Sequence, residues 1–160
     1  MQQGAFDDPV AEAERTIAIA PYDARVLRNL TDVLVADGRY EMALDWLARA
    51  EPREPNRADE YTLQRALVYR LTGRYEDALR EYARVEGARA YPQLSRAIAL
   101  VQLGRLDEAR QAVRGALAEE PDFTQALWRE NSFYSDPAVL DGEIAALAKA
   151  GLPEGYTSRR

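Results

Sequence analysis

Apolar residues recur every three or four positions in several parts of the chain, which is the spacing of an amphipathic helix. Val10, Ala13 and Ile17 show this spacing and predict a helix over residues 7–19. A second segment with the same period predicts a helix over residues 137–150. Its apolar residues are Leu140, Ile144, Leu147 and Ala148.

A short block of residues occurs four times along the chain. Each block has a glycine, then an aromatic residue or leucine two positions later, then an acidic residue. In the last three blocks an alanine stands five positions after the glycine, and a proline follows three of the glycines by 17 residues. The glycines are 34, 35 and 31 residues apart. The blocks begin at Gly4, Gly38, Gly73 and Gly104.

Each recurring feature of the block has a physical role in a helical hairpin. A glycine at a helix C-terminus adopts a positive φ without a Cβ penalty and ends the helix. The acidic residue then lies in the first turn of the next helix, where it complements the helix dipole. The alanine allows two helices to approach closely, and the proline ends the second helix. We therefore predict helix–turn–helix units of about 34 residues, which must stack on neighbours to bury their apolar faces.

These residues resemble the tetratricopeptide repeat, whose 34-residue pattern has glycine, tyrosine, alanine and proline at matching offsets. The first full repeat supplies Leu27, Leu30, Leu34, Gly38, Tyr40, Ala43, Leu47, Ala50 and Pro55. The second supplies Ala66, Tyr69, Gly73, Tyr75, Ala78 and Tyr82. The third supplies Ala97, Leu100, Gly104, Leu106, Ala109, Val113, Ala116 and Pro121.

The resemblance implies an all-α fold, a right-handed superhelical array of antiparallel helix hairpins with about nine helices. We predict a single domain over residues 1–160. Its parts are a half-repeat at 4–22, repeats at 24–57, 59–89 and 90–123, a partial repeat plus capping helix at 124–151, and a frayed tail at 152–160. The half-repeat leads us to expect that the chain was cut from a longer protein.

The predicted capping helix has a strong start signal, with Asp136 as N-cap and Pro137 at the first helical position. The residues around its two ends are similar to tails of some tetratricopeptide regions attached to bacterial signalling proteins, such as nucleotide cyclases. Before it, residues 124–134 are in phase with the first helix of a fourth repeat and contain Trp128.

Two arginines depart from the family pattern, because Arg65 and Arg96 stand where the family usually has leucine. We expect their aliphatic stems to lie along the hairpin with the charged heads in water. The 31-residue spacing also predicts a tighter linker over residues 86–89.

Composition excludes most catalytic chemistry. The chain has no Cys and no His, and Lys149 is its single lysine. Thiol or histidine relays and Cys/His metal sites are therefore absent, and we predict a non-catalytic protein with no cofactor and no metal. The net charge of −6 disfavours a nucleic-acid partner. No apolar run is long enough for a membrane span and the first residues do not form a signal peptide, so we expect a cytoplasmic protein.

The family's groove-facing offsets predict a partner-binding surface on the first helices of the repeats. The candidate residues are Arg25, Arg28, Asn29, Asp32, Leu63, Leu67, Arg70, Leu94, Ile98, Val101 and Trp128. Their apolar members form a stripe that suits an amphipathic helix or an extended peptide. Two structural interpretations stay open: the assumed helical phase is wrong by one position, or the C-terminal helix folds back into the groove.

Arginines of the groove also suggest a carboxylate clamp, because paired guanidiniums bind carboxylates. Arg25, Arg28 and Arg70 are the candidates, and the alternative is that they are solvated surface residues or pair within a helix, as Arg28 with Asp32.

The predicted function is a non-catalytic interaction scaffold that binds a protein or peptide partner in a concave groove, with no nucleic-acid or membrane partner. The alternative is a structural, self-associating repeat region excised from a larger bacterial signalling or assembly protein. In that case the homo-oligomer would form through the open N-terminal end.

Overall fold

A computed structural model describes residues 8–19, 23–87, 89–134 and 136–155, with only the backbone of residues 24, 25 and 28. These residues form nine α-helices and two short 3₁₀ turns, and no strand occurs among them. The predicted all-α fold is therefore confirmed. The chain divides into two compact units, residues 1–61 and 62–160, and each is described by itself.

The first unit contains three helices and the start of a fourth. They are α1 (Pro9–Ile19), α2 (Ala24–Ala36), α3 (Tyr40–Ala50) and the first residues of α4 (Ala58–Leu71). The predicted apolar face of α1 is buried as expected, through Val10, Ala13 and Ile17, and α1 packs against α2. Helix α2 packs in turn against α3, forming the first hairpin.

The second unit contains most of α4 and the remaining helices. They are α5 (Tyr75–Tyr82), α6 (Ala90–Gln102), α7 (Leu106–Glu119), α8 (Gln125–Glu130) and α9 (Pro137–Lys149). Helix α5 has 8 residues, whereas α3 has 11 and α7 has 14. The connections after α3 and after α5 each have seven residues. The short spacing between the second and third repeats is therefore taken up by the helices, mainly by the shorter α5, and the predicted tighter linker over residues 86–89 is wrong.

The turns inside the three hairpins are nearly identical. Gly38, Gly73 and Gly104 have φ values of 77°, 76° and 73°. After each glycine, the amide N of the following arginine donates to a carbonyl in the last turn of the preceding helix, at 2.8, 2.8 and 2.9 Å. This is the hydrogen bond of a glycine-terminated helix, which pairs a carbonyl that would otherwise lack a partner.

The alanines that follow the turns lie in the interior of the hairpins. Ala43, Ala78 and Ala109 are fully buried. In the core of the third hairpin, Ala109, Val113 and Ala116 of α7 join residues of α6, α8 and α9. Small side chains at these positions bring helix backbones together, as the repeat pattern predicted.

The C-terminal region differs from its prediction in two places. The expected fourth first-helix over residues 124–134 ends at Glu130, so α8 has only six residues. The expected frayed tail is wrong for its first residues, because Leu152 is buried and the carbonyls of Pro153 and Glu154 accept from the amide N atoms of Gln125 and Ala126 at 2.8 and 3.1 Å. The tail thereby pairs amides that the first turn of α8 leaves open. Residues 156–160 lie outside the described residues.

The two unusual arginines behave differently from each other. The Arg65 head does not lie in water, because its Nη2 atom contacts Oε2 of Glu81 on α5 at 3.2 Å and both side chains are 14% exposed. Arg96 is exposed, as predicted. None of the described helices is both long enough and apolar enough to cross a membrane.

Candidate partner-binding site

Three apolar residues of the predicted groove are core residues. Leu94 is fully buried, Ile98 is 3% exposed and Trp128 is 1% exposed. The expectation that they offer surface to a partner is therefore wrong in this structure. The physical reason is α9, which packs against α6 and contributes Ala146, Leu147 and Ala150 to the same core. This agrees with the interpretation in which the C-terminal helix lies on the groove side of the repeats.

The remaining predicted residues lie in several environments. On α2, Asn29 and Asp32 are exposed, and the side chains of Arg25 and Arg28 lie outside the described residues. The half-buried members are Leu63, Leu67 and Val101. Leu63 packs beside Ala66 and Tyr82 in the α4–α5 hairpin, and Val101 packs against the core of the third hairpin.

Arg70 is the predicted site residue with the most specific surroundings. It is 4% exposed and lies near the end of α4. Its Nη1 atom donates a hydrogen bond to Oε1 of Glu143 on α9. Glu143 is also 4% exposed. A fully desolvated ion pair of this kind needs further hydrogen bonds to offset the loss of hydration.

Two aromatic side chains complete the binding of the Glu143 carboxylate. Trp128 donates from Nε1 to Oε2 at 2.9 Å, and Tyr134 donates from its hydroxyl to Oε1 at 3.0 Å. Arg70 also donates from Nη2 to the Tyr134 hydroxyl at 3.3 Å. We call the three donors Arg70, Trp128 and Tyr134 the carboxylate receptor. Each comes from a different segment: α4, α8 and the link before α9.

The protonation states of the receptor suit an anion. Burial by itself lowers the pKa of Arg70, but Tyr82, Glu143 and Tyr134 around it raise that pKa well above its usual value. Burial raises the pKa of the Tyr134 phenol, and Glu143 raises it further against the opposing effect of Arg70. Arg70 therefore stays charged, and Tyr134 stays a neutral hydrogen-bond donor.

Aromatic packing holds the Trp128 donor in place. Tyr91 of α6 stacks on its ring with centroids 4.7 Å apart and planes 13° apart. The Phe123 ring lies with its centroid 6.5 Å from that of Trp128, and the two ring planes are tilted by 55°. With its ring fixed in this way, the indole N–H points at the carboxylate at little entropic cost.

A notch lies beside the receptor, where α9 does not fill the space against its neighbours. Its volume is about 200 Å³. It is lined by Arg70, Leu71, Tyr75, Ile98, Gln102, Ala138, Val139, Gly142 and Glu143. A Cβ atom built on Gly142 has nothing within 4 Å, so the notch is open at that point of α9.

The sequence pattern predicted a carboxylate clamp at Arg70 but not the carboxylate that it holds. Glu143 and Tyr134 were missed. The available signal is that Glu143 lies three positions after Leu140 and four before Leu147, which puts a carboxylate among the apolar residues of a predicted capping helix. A charged residue there needs a buried partner.

The arrangement is suited to binding a carboxylate. Arg70 and Glu143 form an ion pair, and no group of three or more metal-ligating side chains comes together in the described parts of the chain. The exposed apolar residue Ile19 ends α1. Self-association through the N-terminal end stays a prediction.

Comparison with known families identifies the repeated hairpins. The sequence model for the tetratricopeptide repeat matches residues 24–49, 60–84 and 90–114. These matches cover α2–α3, α4–α5, and α6 with the first part of α7. No curated protein matches the chain.

Proposed function

The chain belongs to the tetratricopeptide repeat family, and we propose that it is a non-catalytic scaffold that binds a peptide or a partner helix. Repeats of this family generally mediate protein–protein interaction. Within the second unit, the proposed binding face is the surface of α4 and α6 around Arg70, Leu71 and Gln102.

One observation carries this assignment: the face already accommodates an amphipathic helix. Helix α9 packs on α6 and contributes the apolar side chains of Ala146, Leu147 and Ala150 to the core, and its single buried carboxylate enters the carboxylate receptor. A helix-binding face combines an apolar floor with a few polar groups that fix orientation. The receptor supplies those polar groups, and the half-buried Leu71 supplies apolar area beside the notch.

The proposal is tested with a displayed library of helical peptides selected against the whole chain. Gln102 is exposed and lines the notch, so Gln102→Trp places a bulky ring on the proposed face. Gln111 is an exposed residue of α7, and Gln111→Trp is the matched control. Selected peptides should lose at least about tenfold in affinity for Gln102→Trp, which corresponds to one displaced hot-spot contact, and keep their affinity for Gln111→Trp.

The opposite pattern contradicts the proposed face. If the selected peptides bind Gln102→Trp as well as the wild-type chain but lose affinity for Gln111→Trp, the binding surface lies on α7. Circular dichroism of both variants checks that each substitution leaves the helices formed.

A further inference from the structure

Helix α9 occupies its place through a contact that resembles ligand binding. Its Glu143 carboxylate accepts from Arg70, Trp128 and Tyr134, and α4 and α8 supply two of these donors. Those donors are positioned by their own packing, since Trp128 is stacked on Tyr91 and Arg70 is buried near the end of α4. The receptor is therefore a binding site for a carboxylate, and α9 delivers one to it.

The receptor requires an anion whatever supplies it. Arg70 is buried and charged, and its Nε atom has no hydrogen-bond partner even with α9 in place. A buried guanidinium without a counter-ion is strongly unfavourable. Departure of Glu143 would therefore leave a vacant site that selects for another carboxylate.

The structure of α9 itself limits how firmly it is held. Gly142 lies in the interior of the helix, one residue before Glu143, and glycine is among the weakest helix formers. The notch shows that the first half of α9, at Ala138, Val139 and Gly142, leaves a space between itself and the neighbouring helices. The buried ion pair adds specificity more than net stability, because desolvation offsets much of its attraction.

We propose that α9 is an internal, displaceable occupant of the α4–α6 face, and that the partner is an amphipathic helix carrying a Glu or Asp among alanine and larger aliphatic residues. This inference rests on the proposed function, since it names the partner chemistry of the same face. Helix α9 then acts as an autoinhibitory segment: a partner must present its own carboxylate to Arg70 and outcompete a tethered helix at high effective concentration.

The test uses the whole chain and a fluorescent synthetic peptide with the sequence of residues 136–152, read by anisotropy. Glu143→Gln in the chain removes the charge of the internal occupant, and we expect it to bind the peptide at least tenfold more tightly than the wild-type chain does. The matched control is Asp141→Asn, which also removes a carboxylate from α9, because Asp141 is 67% exposed. It should bind the peptide as the wild-type chain does.

A third variant gives the opposite sign and avoids the risk that Glu143→Gln loosens the fold. The Cβ atom that Gly142→Ala adds has no neighbouring atom within 4 Å, and alanine favours the helical conformation of α9. Since alanine favours a helix interior about fivefold over glycine, we expect peptide binding to weaken about fivefold. A peptide in which glutamine replaces Glu143 should bind Glu143→Gln at least tenfold more weakly than the parent peptide.

Hydrogen exchange separates failure of this inference from failure of the proposed function. Binding of the peptide should raise amide exchange in residues 143–150, because α9 leaves its seat. If library-selected peptides bind the face while α9 keeps its protection, the displacement is wrong and the scaffold function survives. The inference is also overturned if Glu143→Gln and Asp141→Asn bind the peptide equally. It is overturned as well if sedimentation shows that the chain is a dimer whose dissociation accompanies peptide binding.

Discussion

The turns of the three repeats and the C-terminal segment, residues 124–155, hold their helices in different ways. Each repeat turn uses one glycine with positive φ and a backbone hydrogen bond between residues five apart. The C-terminal segment uses side chains and tail carbonyls from distant positions, and Arg70 and Glu143 are 73 residues apart. The repeats are therefore built from local rules that recur, whereas α9 is placed by contacts that occur once.

This difference separates general scaffolding from specific recognition. A repeated hairpin buries alanine and leucine and tolerates many sequences, because apolar packing has little directionality. The receptor around Glu143 is directional, since three donors meet two oxygen atoms. The region that departs from the repeat is thus the region that carries the proposed binding specificity.

The largest expected effect comes from removing the buried carboxylate. Glu143→Ala leaves Arg70 buried without a counter-ion and should destabilise the second unit by about 3–5 kcal/mol. In the double variant Arg70→Met with Glu143→Leu the cost should be smaller, although Trp128 and Tyr134 lose their acceptor. Urea unfolding, with hydrogen exchange to resolve α6 and α9, measures both. The single variants Arg70→Met and Glu143→Leu complete the comparison. If their two costs in unfolding free energy add up to the cost of the double variant, the side chains are not coupled and the expectation is contradicted.

An intermediate effect comes from a pair of glycine substitutions with opposite signs. Gly104→Ala forces a side chain into the left-handed region at φ 73° and should cost about 1–2 kcal/mol. Gly142→Ala lies within α9 and should stabilise the chain by up to about 1 kcal/mol. Neither Cβ meets an atom within 4 Å, so backbone conformation alone sets the signs. Thermal unfolding measures them, and two effects of equal sign would contradict the difference between turn and helix.

The smallest expected effect concerns the start of α9. The Asp136 side chain accepts from the amide N of Ala138 at 2.9 Å and caps the helix. Asp136→Ala should therefore cost about 1 kcal/mol. Asp141→Ala removes an exposed ion pair with Arg129 and should change stability by less than about 0.5 kcal/mol. Equal losses in urea unfolding would show that the cap adds nothing beyond surface charge.

The sequence pattern predicted the hairpins well and the site only in part. The helix over residues 137–150, the buried alanines and the N-cap at Asp136 were all confirmed. The groove list included Arg70 as part of a clamp for a partner's carboxylate, which stays a prediction, and it treated Leu94, Ile98 and Trp128 as surface. Their burial depends on α9, and helical period in one segment carries no information about which distant segment will cover it.

Local physics accounts for what could be read from the chain alone. A glycine with positive φ, an N-cap carboxylate or a small alanine acts over a few residues. Gly38, Gly73 and Gly104 therefore specify their turns independently of how the hairpins pack on one another. The position of α9, the early end of α8 and the pairing of Arg70 with Glu143 depend on which segments meet in space. They follow from the cost of burying charge and apolar surface, which is settled only when the helices of the second unit pack together.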